Sequence, residues 1–348
     1  MLELKNVVSL FDGMGIGLLS LIKLGFRNFN YYRVEIDKKA NNAFFFFFNS
    51  DYLKSFGITV IHCNDVKDFP NENTTNILLQ DGVELLLAGS PCQGFSIAGK
   101  QLNFNDPRSK LFFEFLRIKN LLKPQYFLLE NVKMKKEFSD VIDSYLGSHH
   151  EIDSADYTAQ TRKRLYWTNI EYSDEECSCG LTVEDILEEE VDDKYFIEPK
   201  RAITICDKEC LKHKIAYIGD DRSANRIYNI YGKSVTLIAN GGGLGAKTSL
   251  YAIPCLSPDR IEKRQNGRRF KPPHSKFYTL TTIDRHGVLV GNYIRKLTPR
   301  ECERLQGWPD DMTIGAISDS ARYKICGNGW TEPVIRNILS YMPLKKTE

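Results

Sequence analysis

The stretch Leu87-Ala-Gly-Ser-Pro-Cys-Gln-Gly-Phe-Ser96 decides how the rest of the 348-residue chain is read, and Cys92 is its centre. The run before it, Val83-Glu84-Leu85-Leu86-Leu87-Ala88, is short, largely aliphatic and ends at Gly89, which predicts a buried strand. Pro91 fixes its own φ and biases Ser90 toward an extended backbone, so the thiol follows a stiff segment at the carboxyl end of that strand. Ligands of open α/β sheets bind along that edge. A thiol there is a covalent nucleophile if its thiolate is stabilised. A buried structural cysteine is the alternative, since free cysteine is among the most buried residue types. The companions of Cys92 have to separate the two readings.

Upstream, Asn6-Val7-Val8-Ser9-Leu10-Phe11 predicts a first buried strand, and Asp12-Gly13-Met14-Gly15-Ile16-Gly17 a tight turn into a helix, Leu18 to Leu24, that Gly25 stops. Glycines at alternate positions let a backbone approach a ligand at a helix N-terminus, as nucleotide-binding units require, although glycine turns also serve as plain connectors. A second strand, Tyr31 to Ile36, ends in Glu35 and Asp37, where a carboxylate meets a ribose diol. Phe44 to Phe48 reads as a mostly buried helix and not as a stacking platform. Thr59 to Cys63 is a third strand, and Asn64-Asp65 after it suits either an adenine edge or a helix cap.

Downstream, a loop from Ala98 to Pro107 leads to a helix from about Ser109 to Leu122, and Tyr126 to Val132 reads as a strand carrying Glu130 at its apolar end. A helix from Lys133 to Leu146 precedes Gln160-Thr161-Arg162-Lys163-Arg164 and an aromatic strand. A solvated surface is the plain alternative for that basic cluster. Strands alternating with helices from residue 6 to 170 predict a doubly wound α/β sheet. The pattern then fails. Residues 171–193 are acidic, and 197–293 are rich in Gly, Pro, Asn and basic residues with short β-like runs, which predicts a second, smaller β-rich domain. Within it, Asn240 to Gly245 and Arg264-Gln265-Asn266-Gly267-Arg268-Arg269 read as surface loops. Thr298-Pro299 starts a helix with proline in its first turn, and a final helix runs from Glu332 to Tyr341.

Composition narrows the class without naming a substrate. Lys plus Arg number 47 against 45 Asp plus Glu, so a net charge of +2 gives no argument for a polyanionic partner, and any nucleic-acid site has to come from local clustering. Nine cysteines, odd in number and irregularly spaced, predict no disulfide framework and fit a reducing cytoplasm. Cys177-Ser-Cys179 and Cys206-x-x-x-Cys210 lack the paired Cys-x-x-Cys spacing of a zinc site, so no metal is expected. No stretch approaches membrane-spanning length, and the protein is expected to be soluble and not secreted.

Taken in order, the motifs resemble one family, the S-adenosylmethionine-dependent DNA cytosine-C5 methyltransferases, from residue 7 to about 341. Phe11-x-Gly13-x-Gly15 resembles their cofactor loop, Pro91-Cys92-Gln93 their nucleophile loop, Glu130-Asn131-Val132 their base-binding motif, and Gln160-x-Arg162-x-Arg164 the motif after it. Arg295 to Pro309 is similar to the helix that organises the target domain, and Gly327-Asn328-Gly329 to the closing motif, although Gly329 stands where the family often has Ser. The resemblance implies a Rossmann-like methyltransferase sheet with an inserted, smaller β-rich target-recognition domain. It divides the chain into a catalytic and cofactor domain at 1–175, target recognition at 176–311 and a returning segment at 312–348.

By the same resemblance Cys92, Glu130, Arg162 and Arg164 are catalytic, while Phe11, Gly13, Gly15, Glu35, Ile36, Asp65, Pro91 and Asn328 bind S-adenosylmethionine. Gln93, Ser96, Arg264, Arg268 and Arg269 are expected on double-stranded DNA. The implied setting is a bacterial cell or phage-infected host, with a monomeric enzyme and a cognate restriction endonuclease acting separately. A nucleotide-dependent oxidoreductase would explain the glycine turn and Glu35 but leaves Cys92, Glu130 and Arg164 without a purpose. A silent DNA-binding paralogue has no need to retain every chemical group, and the Cys-Phe-Thr usual in the tRNA-modifying branch is absent from the target region.

Overall fold

A computed structural model describes residues 4–89, 111–173, 179–196, 271, 275–280, 286–290, 293–315 and 317–343, with the strand segments 204–205, 214–217, 226–228 and 253–256. Pro91, Cys92, Gln93, Ser96, Arg264, Arg268 and Arg269 lie outside the described residues. Five strands run parallel: β1 (Asn6–Leu10), β2 (Asn30–Val34), β3 (Thr59–Cys63), β4 (Leu85–Gly89) and β5 (Tyr126–Val132). β6 (His150–Asp153) and β7 (Lys163–Thr168) complete the sheet as an antiparallel edge, in the order β3-β2-β1-β4-β5-β7-β6. The chain winds outward from β1 to β3 and returns to lay β4 on the other side of β1. Carboxyl ends at such a reversal frame a crevice, and those of β1 and β4 border it here.

Side-chain alternation along the strands sorts the apolar residues into two layers. Val7, Tyr31, Leu85, Leu87, Leu128 and Tyr166 face one side, where α1 (Ile16–Lys23), α2 (Lys38–Phe47) and α3 (Ser50–Ser55) pack. Val8, Leu10, Leu86, Ala88, Leu129 and Trp167 face the other, covered by α4 (Glu72–Asp81), α5 (Leu111–Leu122) and α6 (Lys136–Leu146). Burial on both faces is why β4 reads as an unbroken aliphatic run. The chain ends back on the first side with α7 (Pro299–Leu305), α8 (Asp319–Asn328) and α9 (Glu332–Ser340), and α9 lies against α1. At the start of α7, Thr298 and Glu301 form the reciprocal capping box, with Pro299 in the first turn.

Between the sheet and α7, the described segments form two small antiparallel sheets. One contains β8 (Thr204–Ile205), β9 (Lys214–Tyr217) and β10 (Arg226–Tyr228), and the other β11 (Ile253–Leu256), β12 (His286–Val290) and β13 (Tyr293–Lys296). Among the described residues no helix is long and apolar enough to cross a membrane. The phenylalanine run departs from the expectation of a mostly buried helix: Phe44 and Phe48 are sealed in the core, but Phe45 and Phe46 are 45% and 57% exposed. A helix advances about 100° per residue, so five consecutive rings cannot share one buried face.

A sealed ion pair fixes the turn after β1. Arg33 on β2 donates through Nε to Asp12 at 2.9 Å and through Nη2 to the carbonyl of Gly13 at 2.6 Å, with both charged side chains closed off from solvent. Ser9 and Tyr31 each donate to the other Asp12 oxygen at 2.6 Å, and the ring of Phe44 lies 4.0 Å under the guanidinium. Removing one partner of a buried pair strands the other charge. Arg33→Met should therefore lower the unfolding free energy in urea by about 3 kcal/mol, as expected for a broken buried pair. A loss within error of zero would show that Asp12 is held by its hydroxyl donors alone.

Candidate active site

Strand register brings a carboxylate and a guanidinium together. In the antiparallel β5·β7 pair, Glu130 is opposite Tyr166 and Val132 is opposite Arg164, so all four side chains share a face and Arg164 is the diagonal neighbour of Glu130. Arg164 Nε lies 3.1 Å from Glu130 Oε1. The contact is an ion pair without hydrogen-bond alignment, and among the described residues this buried Nε has no aligned acceptor. Glu130 Oε2 accepts from the indole Nε1–H of Trp330 at 3.1 Å. Below the pair, burial raises the Tyr166 hydroxyl pKa and the Glu130 charge raises it further, so Tyr166 stays neutral.

The other strand ends contribute a second group of residues. Phe11 adopts φ 55°, a conformation costly for a bulky side chain, and the Asp12–Arg33 pair holds the turn that keeps it there. Glu35, just past β2, accepts from the backbone N–H of Gly13 and of Asp37, each at 2.7 Å, so both carboxylate oxygens are fixed. Ile36 beside it is 67% exposed, and Asp65 caps the turn after β3 by accepting from Lys67 N–H at 3.0 Å. Asp37 meets Lys324 of α8 at 2.7 Å across the mouth. Burial alone would raise the Asp37 carboxyl, but hydrogen bonds from Lys324, Lys39 and Ala40 outweigh it and the net shift is downward.

A cavity of about 580 Å³ joins the two groups, lined by Phe11, Glu35, Ile36 and Asp65 on one side and by Glu130, Arg164 and the 327–330 turn on the other. Buried polar contacts hold that turn in place. Arg162 donates through Nη1 to Leu280 O at 3.0 Å and through Nη2 to Gly327 O at 3.2 Å and Gly329 O at 2.9 Å. Gln306 donates to Cys326 O at 2.5 Å and accepts from the Thr331 hydroxyl at 3.0 Å. Gln160 spans Leu305 O at 3.1 Å and Leu280 N–H at 2.8 Å.

Residues 5–343 match the profile of the C-5 cytosine-specific DNA methylases. The chain belongs to that family. It is a DNA cytosine-5 methyltransferase, similar at 29% identity to the orphan methyltransferase M.SPRI of Bacillus phage SPR, with 96% of each chain covered. The type II methyltransferase M.HhaI of Haemophilus parahaemolyticus is 27% identical over 74% of both chains. Among solved structures, the Entamoeba histolytica methyltransferase EhMeth superposes with a TM-score of 0.57 at 18% identity, covering 98% of each chain, which supports the fold.

In this methylase, the sequence-predicted residues Phe11, Gly13, Glu35, Ile36, Asp65, Glu130, Arg162, Arg164 and Asn328 all line this cavity. Gly15 instead lies under α2, where an added Cβ would come within 2.5 Å of the Phe44 ring. Arg162, expected as a catalytic group, lines the cavity and also donates to the carbonyls of Leu280, Gly327 and Gly329, so it braces the end of α8. Sequence reasoning passed over Asp12, Arg33, Gln306 and the indole of Trp330, whose parts depend on neighbours remote in the chain.

Gly329, the departure from the family's usual Ser, has a local cause. A Cβ there would lie 2.3 Å from Cζ2 and 2.5 Å from Cη2 of the Trp308 ring, itself buried and tied through Nε1 to Trp330 O at 2.9 Å. Gly329→Ser should cost about 1–3 kcal/mol by overpacking. Combining it with Trp308→Leu should recover part of that loss in a double-mutant cycle followed by urea unfolding. Strictly additive effects would mean that the ring is not the obstacle.

Proposed function

We propose that this methylase moves the methyl group of S-adenosylmethionine to C5 of a cytosine turned out of duplex DNA, through a covalent bond between Cys92 and C6 of the base. The observation that carries the reading is the single cavity shared by Glu35 and Asp65 with Glu130 and Arg164. Its 580 Å³ lies within the range of about 300–1,000 Å³ usual for ligand sites. The residues fit the donor: Glu35 is fixed where a ribose would meet it, and exposed Ile36 offers an apolar surface to an adenine. Phe11 and Asp65 line the same cavity and would flank the adenine, and Asn328 would meet the methionine part. When bound, S-adenosylmethionine supplies a methyl group on a sulfonium sulfur.

C5 of cytosine is a weak nucleophile, and the chain's own groups change that. The Cys92 thiolate bonds to C6 while Glu130 delivers a proton to N3, so electron density moves through the ring to C5, which attacks the methyl carbon as the bond from that carbon to the sulfonium sulfur breaks and a neutral thioether leaves. A base then removes the C5 proton, the C5–C6 double bond re-forms, Cys92 leaves and the N3 proton returns to Glu130. Arg164, beside Glu130 and with its buried Nε unaligned, is available to the O2 edge of the base. Reaching C6 requires the cytosine to leave the stack, at a cost of a few kcal/mol. Residues 176–311 are assigned to reading the DNA, with Arg264, Arg268 and Arg269 on it and with Gln93 and Ser96 beside the flipped base.

Because the chemistry treats every cytosine alike, the recognised sequence must be chosen outside the cavity. The orphan and type II names of the relatives support a modification enzyme of a phage or bacterium, acting with or without a separate endonuclease. On duplexes carrying 5-fluorocytosine, the wild type should form a denaturation-resistant adduct, because fluorine cannot leave as a proton. Cys92→Ala should form none while keeping its affinity for S-adenosylmethionine. An equal adduct from Cys92→Ala would assign the nucleophile to another residue.

A further inference from the structure

Trp330 is placed by features that the catalytic reading leaves unused. In the parallel β4·β5 pair Gly89 is the register partner of Glu130, so the two share a face of the sheet. Gly89 has no side chain, and the Trp330 ring fills that place. A Cβ on Gly89 would lie 2.7 Å from Trp330 Nε1 and 3.2 Å from Cε2, so glycine is what lets the indole lie against the end of β4. From there its N–H donates to Glu130 Oε2 at 3.1 Å. The backbone under the ring is fixed from two sides: Trp308 donates to Trp330 O, and the Thr331 hydroxyl is bonded to Gln306 at 3.0 Å and to Ser154 at 2.8 Å.

We propose that Trp330 is a positioning residue for methyl transfer: its indole N–H holds one oxygen of Glu130, and its ring walls the end of β4 off from the carboxyl. The proposal rests on the reading of Glu130 as the group that serves N3 of the cytosine. Arg164 approaches Oε1 and Trp330 donates to Oε2, so the carboxyl cannot rotate without giving up one of them. An indole nitrogen is a donor only, so Trp330 orients the carboxyl without competing for the proton that Glu130 passes to the base. Arg164 alone makes a misaligned contact and leaves the plane of the carboxyl undetermined. A small misplacement of a reacting group slows chemistry far more than it weakens binding.

The test uses the full chain and single-turnover methyl transfer to duplex DNA. Trp330→Phe keeps a ring but loses the N–H, and benzothienylalanine inserted at position 330 replaces the N–H by sulfur with almost no change of shape. Both should slow the single-turnover rate about tenfold or more, because a reacting group held off its productive geometry loses rate steeply. The dissociation constant for S-adenosylmethionine and the KM for DNA should stay within about twofold on the same differential-binding argument. In a Glu130→Gln background the Trp330→Phe penalty should shrink to nearly nothing, because the carboxyl it orients is gone. If Glu130→Gln is slow while benzothienylalanine is as fast as wild type, the proposal fails and the acid role stands. If Glu130→Gln is itself as fast as wild type, the acid role fails and the proposal with it. Equal penalties from Trp330→Phe in both backgrounds would mean that the indole acts on something other than Glu130, which also overturns the proposal.

Discussion

The site depends on a buried polar seam that ties the end of the chain to the edge of the sheet. Gln160 and Arg162, just before β7, reach carbonyls at 280, 305, 327 and 329, while Gln306 reaches Cys326 O and accepts from Thr331. Each of these side chains is essentially closed to water, and each donates to at least one backbone oxygen across the seam. A buried donor or acceptor without a partner costs about 1–3 kcal/mol, so the seam has one favourable arrangement rather than many. That arrangement decides where the 327–330 turn stands, and therefore where the cavity has its wall.

From the seam outward, sheet geometry does the rest. The reversal of strand order opens the crevice between β1 and β4, the β5·β7 diagonal sets Arg164 beside Glu130, and the β4·β5 register leaves a side-chain vacancy at Gly89 that Trp330 fills. Behind the first loop, Asp12 and Arg33 hold a strained Phe11 on the other side of the same cavity. The carboxylates at the strand ends are thus positioned by backbone amides, a guanidinium and an indole, none of which belongs to a flexible surface group.

Much of the sheet is legible from local pattern because aliphatic runs buried on both faces carry their own signal. β3 and β5 fall at the residues the sequence predicts, and β1, β2 and β4 lie within two residues of expectation. Helix α8 escaped because its buried face, Ala321, Arg322, Ile325 and Cys326, includes a charged residue paired with Glu303, so apolar periodicity breaks where the helix is most enclosed. α4 buries only Leu78 among residues with weak helix preference, and β6 is a short edge strand rich in polar side chains. The carboxylates at the strand ends were legible because each follows an apolar run. Bracing groups were not, because Arg162 on Gly329 or Trp330 on Glu130 is a contact between parts of the chain more than 160 positions apart.

A cavity that methylates cytosine at C5 in DNA leaves a mark on the DNA of the cell that makes the protein. Bisulfite sequencing of DNA from cells expressing the full chain measures that product directly, base by base. Protected cytosines confined to one short sequence context, absent from cells carrying an empty vector, are the predicted result. Complete conversion of cytosine throughout the genome, with folded protein present in the same cells, would contradict it.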